Sequence, residues 1–142
     1  MRSKRLAVVL DLAERAKDQA AQEFELARQQ CLQEEQKLTQ LIDYYRDYQQ
    51  SFALKKNLRV EELVKQRGFL EQLAQAQKQQ QALIRSAQAT LETKRVAWQK
   101  CHIKHKNLAE LINRYRGQEE LALSKKEQKM LDEWFQQTRT PR

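Results

Sequence analysis

The sequence predicts an all-α fold, a long antiparallel two-helix coiled-coil hairpin with a C-terminal amphipathic extension, and three observations predict it. Glycine (two) and proline (one) are nearly absent from the 142 residues, so there is little material for turns. Gln, Leu, Ala, Lys, Arg and Glu dominate, with 32% charged and 7% aromatic residues, the profile of a long helix rather than a compact core. Two stretches of equal length then repeat apolar residues at alternating spacings of three and four, a pattern that a disordered polar chain lacks.

The first helix is expected over about residues 4–55. Its seam runs Leu6, Leu10, Ala13, Lys17, Ala20, Phe24, Ala27, Cys31, Glu34, Leu38, Leu41, Tyr45, Tyr48 and Phe52, with only Lys17 and Glu34 not apolar. A 3.5-residue period held this far is a left-handed coiled-coil seam. In LKKNLRVEEL (54–63) the phase is lost, which places a turn at about 56–60, and Asn57 is the residue there that best tolerates a left-handed backbone.

The second helix is expected over about 61–123, with Leu70, Leu73, Gln77, Gln80, Ile84, Ala87, Leu91, Lys94, Trp98, Cys101, His105, Leu108, Ile112 and Tyr115 as its seam. Two such helices on a short connection form an antiparallel pair. If the reversal centres near Arg59, Leu10 faces Leu108, Ala20 faces Trp98, Phe24 faces Lys94, Glu34 faces Ile84, Leu38 faces Gln80 and Tyr48 faces Leu70. Every layer then keeps an apolar member, although a slip of one heptad is also compatible with the spacing. Gly117 costs about 1 kcal/mol in a helix but need not end one. A helical tail over about 124–137 carries a further amphipathic pattern through Met130, Leu131, Trp134 and Phe135, with Leu123 before it. No strip of the hairpin is left to cover it, so these residues are candidates for a partner contact.

Several function classes lose support. The sequence has no glycine-rich phosphate loop, nucleophile elbow or metalloprotease signature. A two-helix hairpin also offers no concave pocket for chemistry, so no enzyme is expected. In CHIKH (101–105), Cys101 and His105 lie one helical turn apart, but a structural metal site needs about four ligands and no second cluster exists. No metal and no cofactor is expected. The basic start of MRSKRLAVVLDLAERAK is followed by an apolar run that Asp11, Glu14 and Arg15 interrupt at once, and no segment is long enough to span a membrane. A cytoplasmic chain with reduced cysteines is the expectation.

Charge is unevenly placed. Residues 1–57 hold 10 basic and 9 acidic side chains, whereas the rest holds 17 and 10, giving most of the net +8 to the second helix and tail. Lys94, Arg95, Lys100 and Lys104 belong to a run with few acids, expected in the hairpin beside Arg2, Lys4 and Arg5. Such an end suits an acidic protein surface; nucleic acid is not expected, since the basic residues lack interleaved aromatics. One flank of the seam is also apolar, through Tyr44 on the first helix and Phe69, Ala76 and Leu83 on the second. That flank either widens the core or receives a partner. Tyr45 and Tyr48 are seam positions expected over Leu73 and Leu70, whereas Tyr44 stands outside the seam.

Four segments carry a resemblance across nearly the whole chain: RLAVVLDLAERAKDQAAQEF at the start, LIDYYRDYQQSF before the turn, GFLEQLAQAQ opening the second helix, and KKEQKMLDEW near the end. In their order and spacing the chain resembles the bacterial flagellar FliJ family, the coiled-coil component of the flagellar type III protein export apparatus. The resemblance implies a hairpin similar to the stalk of rotary ATPases. It implies that the chain promotes assembly and activity of a hexameric export ATPase, and contacts the export gate membrane protein and flagellar export chaperones. It also implies a place at the cytoplasmic face of the inner membrane at the flagellar base, in the service of motility. Carried across, the gate-binding face is Phe69, Leu73, Ala76 and Gln80, with Tyr44 beside it, and Gln80 departs from the family's histidine-type contact. The basic set Arg2, Lys4, Arg5, Lys94, Arg95, Lys100 and Lys104 becomes the candidate end for the ATPase ring. Two other classes stay open: a basic coiled coil that binds nucleic acid with steep salt dependence, and a purely structural oligomer.

Overall fold

A computed structural model describes residues 2–55 and 57–139. It consists of two long helices packed against each other as a helical hairpin, α1 (Arg2–Ala53) and α2 (Val60–Arg139), with no strand among the described residues. Of the expected turn at 56–60, residue 56 lies outside the described residues. Asn57 has a φ of 69°, the left-handed conformation its short polar side chain tolerates. The Leu54 amide still donates to Gln50 O at 3.2 Å, and Lys55 to Phe52 O at 3.1 Å, the tightening of a last turn that leaves fewer carbonyls unpaired. On the other side, Leu63 N–H donates to Arg59 O at 3.1 Å, and Glu61 and Glu62 occupy the first turn of α2, where carboxylates complement the helix dipole.

The seam residues follow the spacing closely. All fourteen first-helix positions and all fourteen second-helix positions are buried or half-buried. The chain divides into two compact units. In the unit Ala20–Trp98, which contains the turn, the buried side chains are Ala20, Cys31, Glu34, Leu73, Gln80 and Ile84. Phe24 and Trp98 meet edge-on with ring centroids 6.0 Å apart, beside the small Ala21. Lys94, the expected neighbour of Phe24, reaches Glu23 instead, with Nζ 3.3 Å from the carboxylate. Glu34 is bonded to Gln80, one turn from the Ile84 expected opposite it. These diagonal contacts shift in opposite directions along α2, as knobs packed between two layers must, whereas a heptad slip would displace them all one way.

The second unit, Met1–Gln19 with Gln99–Arg142, is built around Ala13 and Ile112, the latter 1% exposed. Here the α1 N-terminus is closed by a residue of α2. The Ser3 backbone N–H donates to Glu119 Oε1 at 3.2 Å and its hydroxyl to Oε2 at 2.6 Å. The first amides of a helix lack intrahelical acceptors, and α1 has no acid of its own in its first turn, so Glu119 supplies both the acceptor and the negative charge. Those two bonds, that of the Ser3 hydroxyl foremost, hold the Glu119 carboxyl below the ordinary range. Gly117 meets open space and does not interrupt α2. The expected tail over about 124–137 is therefore the last part of the same helix.

Candidate functional site

Near the turn, four aromatic side chains gather where α1 and α2 first meet. Phe69 packs against Tyr48 with ring centroids 4.4 Å apart, and against Tyr44 edge-on at 6.1 Å. Tyr48 also touches Phe52 at 4.8 Å, and the Lys55 ammonium lies 4.9 Å from the Phe52 ring centre. The sequence places Tyr48 over Leu70; the aromatic rings it meets are Phe52, one helical turn on, and Phe69, the flank residue preceding Leu70. Tyr44 keeps 54% of its surface exposed, so an aromatic ring stands at the edge of the cluster with one edge braced by Phe69. Ala76 is half-buried, while Leu73 and Gln80 are buried in the seam at 8% and 7% exposure. The candidate gate face thus divides into a surface formed by Tyr44, Phe69 and Ala76 and a supporting layer beneath it.

Gln80 has a partner within the chain. Its amide donates to the backbone carbonyl of Glu34 at 2.9 Å and also to the Glu34 carboxylate. Gln30 Nε2 donates to the same carboxylate at 2.9 Å, and Lys37 Nζ lies 3.5 Å away. A carboxylate with three donors is stabilised in its charged form, and Glu34 is accordingly held below the usual range, the Gln80 bond being the largest cause. Spacing alone marked Glu34 and Gln80 as two polar exceptions in opposite seams; their donor–acceptor complementarity is the signal that could have joined them. No buried side-chain nitrogen or oxygen among the described residues lacks a partner.

The basic residues differ in what they have free. In the unit Ala20–Trp98, Lys94 pairs with Glu23, and Arg95 is bonded through Nε to Glu92 at 2.9 Å, so both cations are partly neutralised. In the other unit Lys4, Arg5, Lys100 and Lys104 are exposed, and the Arg2 guanidinium lies 5.8 Å from the Tyr115 ring centre. Lys100 and Lys104 border a shallow groove of about 470 Å³ on α2, completed by Ile103, Asn107, Leu108 and Leu111. Ile103 is 56% exposed, which makes the groove an apolar floor with cationic walls.

At the far end of α2, Met130, Leu131, Trp134 and Phe135 are all exposed, and the rings of Trp134 and Phe135 touch edge-on at 5.3 Å. The CHIKH segment brings no third ligand to Cys101 and His105, and no group of three or more His, Cys, Asp or Glu side chains placed to hold a metal occurs among the described residues. Both cysteines are free thiols, and burial, followed by the Glu35 carboxylate, pushes the Cys31 thiol up and away from the reactive thiolate. No helix is long and apolar enough to cross a membrane among the described residues.

Residues 2–139 match the family model described as flagellar FliJ protein. Comparison with curated proteins and with solved structures gives no match.

Proposed function

The chain belongs to the flagellar FliJ family, whose members are components of the flagellar export apparatus, and on that premise we propose that it is a non-enzymatic stalk and adaptor of that apparatus. In this reading it promotes assembly and activity of the hexameric export ATPase, engages the export gate membrane protein, and works with flagellar export chaperones. It acts at the cytoplasmic face of the inner membrane without a segment of its own in the bilayer. The observation that carries the reading is the family match over residues 2–139, and the two-helix seam supports it by leaving most side-chain variety on the outside of the pair.

The gate is received by Tyr44, Phe69 and Ala76. The exposed Tyr44 ring offers flat apolar area and a hydroxyl at little conformational cost, the usual properties of an interface anchor. Leu73 and the Gln80–Glu34 bond fix the helix beneath these residues. The ATPase is received by the exposed cations Arg2, Lys4, Arg5, Lys100 and Lys104. Lys94 and Arg95 contribute less, since each already has a carboxylate partner. Charge complementarity at such an end speeds and orients association more than it tightens it.

Mixing the purified chain with the export ATPase tests the reading. Hydrolysis should rise, and charge reversal at Lys100 and Lys104 together should weaken the stimulation, more so at low salt, while reversal at Lys94 and Arg95 should weaken it less. Unchanged stimulation after reversal at Lys100 and Lys104 overturns the assignment of this surface; no stimulation by the intact chain overturns the stalk reading itself.

A further inference from the structure

The groove beside Lys100 and Lys104 has a regular construction. Its lining residues form two neighbouring rows that each step by four: Lys100, Lys104 and Leu108 in one, Ile103, Asn107 and Leu111 in the other. Rows of this step are the ridges of a helix surface, and the space between two of them is where a ridge of another helix packs. All the lining belongs to α2, so α1 leaves the groove open. From 100 to 111 it runs for about 17 Å at 1.5 Å per residue, close to three helical turns. Val9 and Leu12, 41% and 59% exposed, extend the apolar flank onto α1.

Charge around the groove is one-sided. Counted from the seam, Lys100, Lys104 and Arg114 fall on the same flank of the pair as Arg2 and Arg5. Within residues 2–19 and 99–118, Asp11, Glu14 and Asp18 all fall on the opposite flank, and only Glu110, on the outer edge of α2, is an acid near the groove. Cations therefore stand at both ends of an apolar floor. We propose that this groove docks an acidic amphipathic helix of a partner protein, with its apolar ridge between the two rows and its carboxylates on Lys100, Lys104 and Arg114. The proposal rests on the reading that this end receives a protein of the export apparatus, and adds the class of segment that is recognised. A nucleic acid would bring phosphates for the lysines but nothing for Ile103 and Leu111, and the single tyrosine of this stretch, Tyr115, is half-buried near Arg2 instead of open for a base to stack on. Lipid headgroups would meet the lysines, but a flat surface does not enter the space between two ridges.

Titration calorimetry of the full chain with a synthetic amphipathic peptide tests the proposal. The peptide is about eighteen residues long, or five helical turns, with leucine along one face and glutamate on both margins. It should bind, more weakly as salt rises, and its counterpart with lysine for every glutamate should bind at least about tenfold less tightly. Ile103→Asp, at an exposed position, and the double variant Lys100→Glu with Lys104→Glu should each weaken the acidic peptide about tenfold, and the double variant should gain the lysine peptide. Lys106→Glu with Arg116→Glu changes the net charge by the same amount on the opposite flank and should leave binding unchanged. Circular dichroism confirms that each variant stays helical. No binding of the acidic peptide, equal binding of the two peptides, or binding indifferent to the groove variants overturns the proposal. Anionic vesicles or duplex DNA bound in an Ile103-dependent way, with the acidic peptide ignored, overturn it in favour of that ligand. The two readings fail separately. Stimulation of the export ATPase by a chain that ignores the acidic peptide overturns the groove and leaves the stalk; the acidic peptide held in the groove of a chain that does not stimulate overturns the stalk and leaves the groove.

Discussion

Tyr44 and Tyr48 sit one turn apart and touch the same Phe69, yet removing them should do opposite things. Tyr48 is half-buried between Phe52 and Phe69, at ring separations of 4.8 and 4.4 Å. Each aromatic pair is worth about 0.5–1.5 kcal/mol beyond burial, and half-burying a large side chain adds about 1 kcal/mol, so Tyr48→Ala should cost about 2–4 kcal/mol. Tyr44 is 54% exposed and has a single edge contact with Phe69, so Tyr44→Ala should cost about 0.5–1.5 kcal/mol. Urea unfolding followed by circular dichroism reads both. With a slope of about 2 kcal/mol per molar, the Tyr48 variant should lose about 1–2 M at the midpoint and the Tyr44 variant well under 1 M. Titration against the cytoplasmic part of the export gate, at a temperature where both variants are folded, should reverse the order: Tyr44→Ala weakens binding at least tenfold and Tyr48→Ala by only a few-fold. If Tyr44→Ala unfolds the chain while Tyr48→Ala abolishes binding, the division into surface and support is wrong.

Two further outcomes follow from the ends of the helices. Glu119 titrates below its ordinary value of 4.5 because it accepts from Ser3. A group whose folded value is lowered stabilises the fold above the unfolded value, and that contribution is lost as pH falls through 4.5 and then through the lowered folded value. Glu119→Gln should therefore lower the melting temperature at neutral pH and reduce its fall below pH 4.5, and equal melting temperatures at neutral pH would contradict the capping role. At the turn, Asn57→Ala should cost about 1 kcal/mol, because alanine pays the full penalty of the left-handed conformation, while Asn57→Gly should leave the urea midpoint nearly unchanged. Identical midpoints for the two would show that the conformation at 57 carries no energetic weight.

The hairpin was legible because its core obeys one rule over a long distance. A period of 3.5 residues fixes which side chain faces the neighbour, so even Lys17, Glu34 and His105 could be placed inward from spacing alone. Asn57 was legible for a similar reason, being the best-suited residue in a segment that must reverse the chain. What spacing could not give is which atoms meet within a layer. Phe24 chose Trp98 because ring area there outweighs alignment with Lys94, and Lys94, repelled from an apolar layer, found Glu23. The Ser3–Glu119 closure was invisible because both residues lie beyond the apolar part of the seam and neither is unusual in a charged sequence. Of the candidate surfaces, the position of Tyr44 outside the seam was readable. That Gln80 spends its amide on Glu34, and that Lys94 and Arg95 have carboxylate partners, required the packed side chains.

The closure of α1 by Glu119 also orders events in time. The two partners stand 116 positions apart, while the aromatic contacts beside the turn join residues close in sequence. During synthesis α1 emerges first, with a bare row of amides at its start and an apolar stripe that no neighbour yet covers. The loop to be closed is shortest at the turn and longest at Ser3, so pairing should begin around Asn57 and proceed outward. The start of α1 is thus among the last parts to be secured, and until position 119 has left the ribosome α1 lacks the carboxylate that closes its first turn. A nascent chain stalled before its second seam has emerged exposes the stripe of α1 to whatever binds apolar helices, and the Glu119 carboxylate arrives only after that seam, to cap a helix whose stripe can by then be covered.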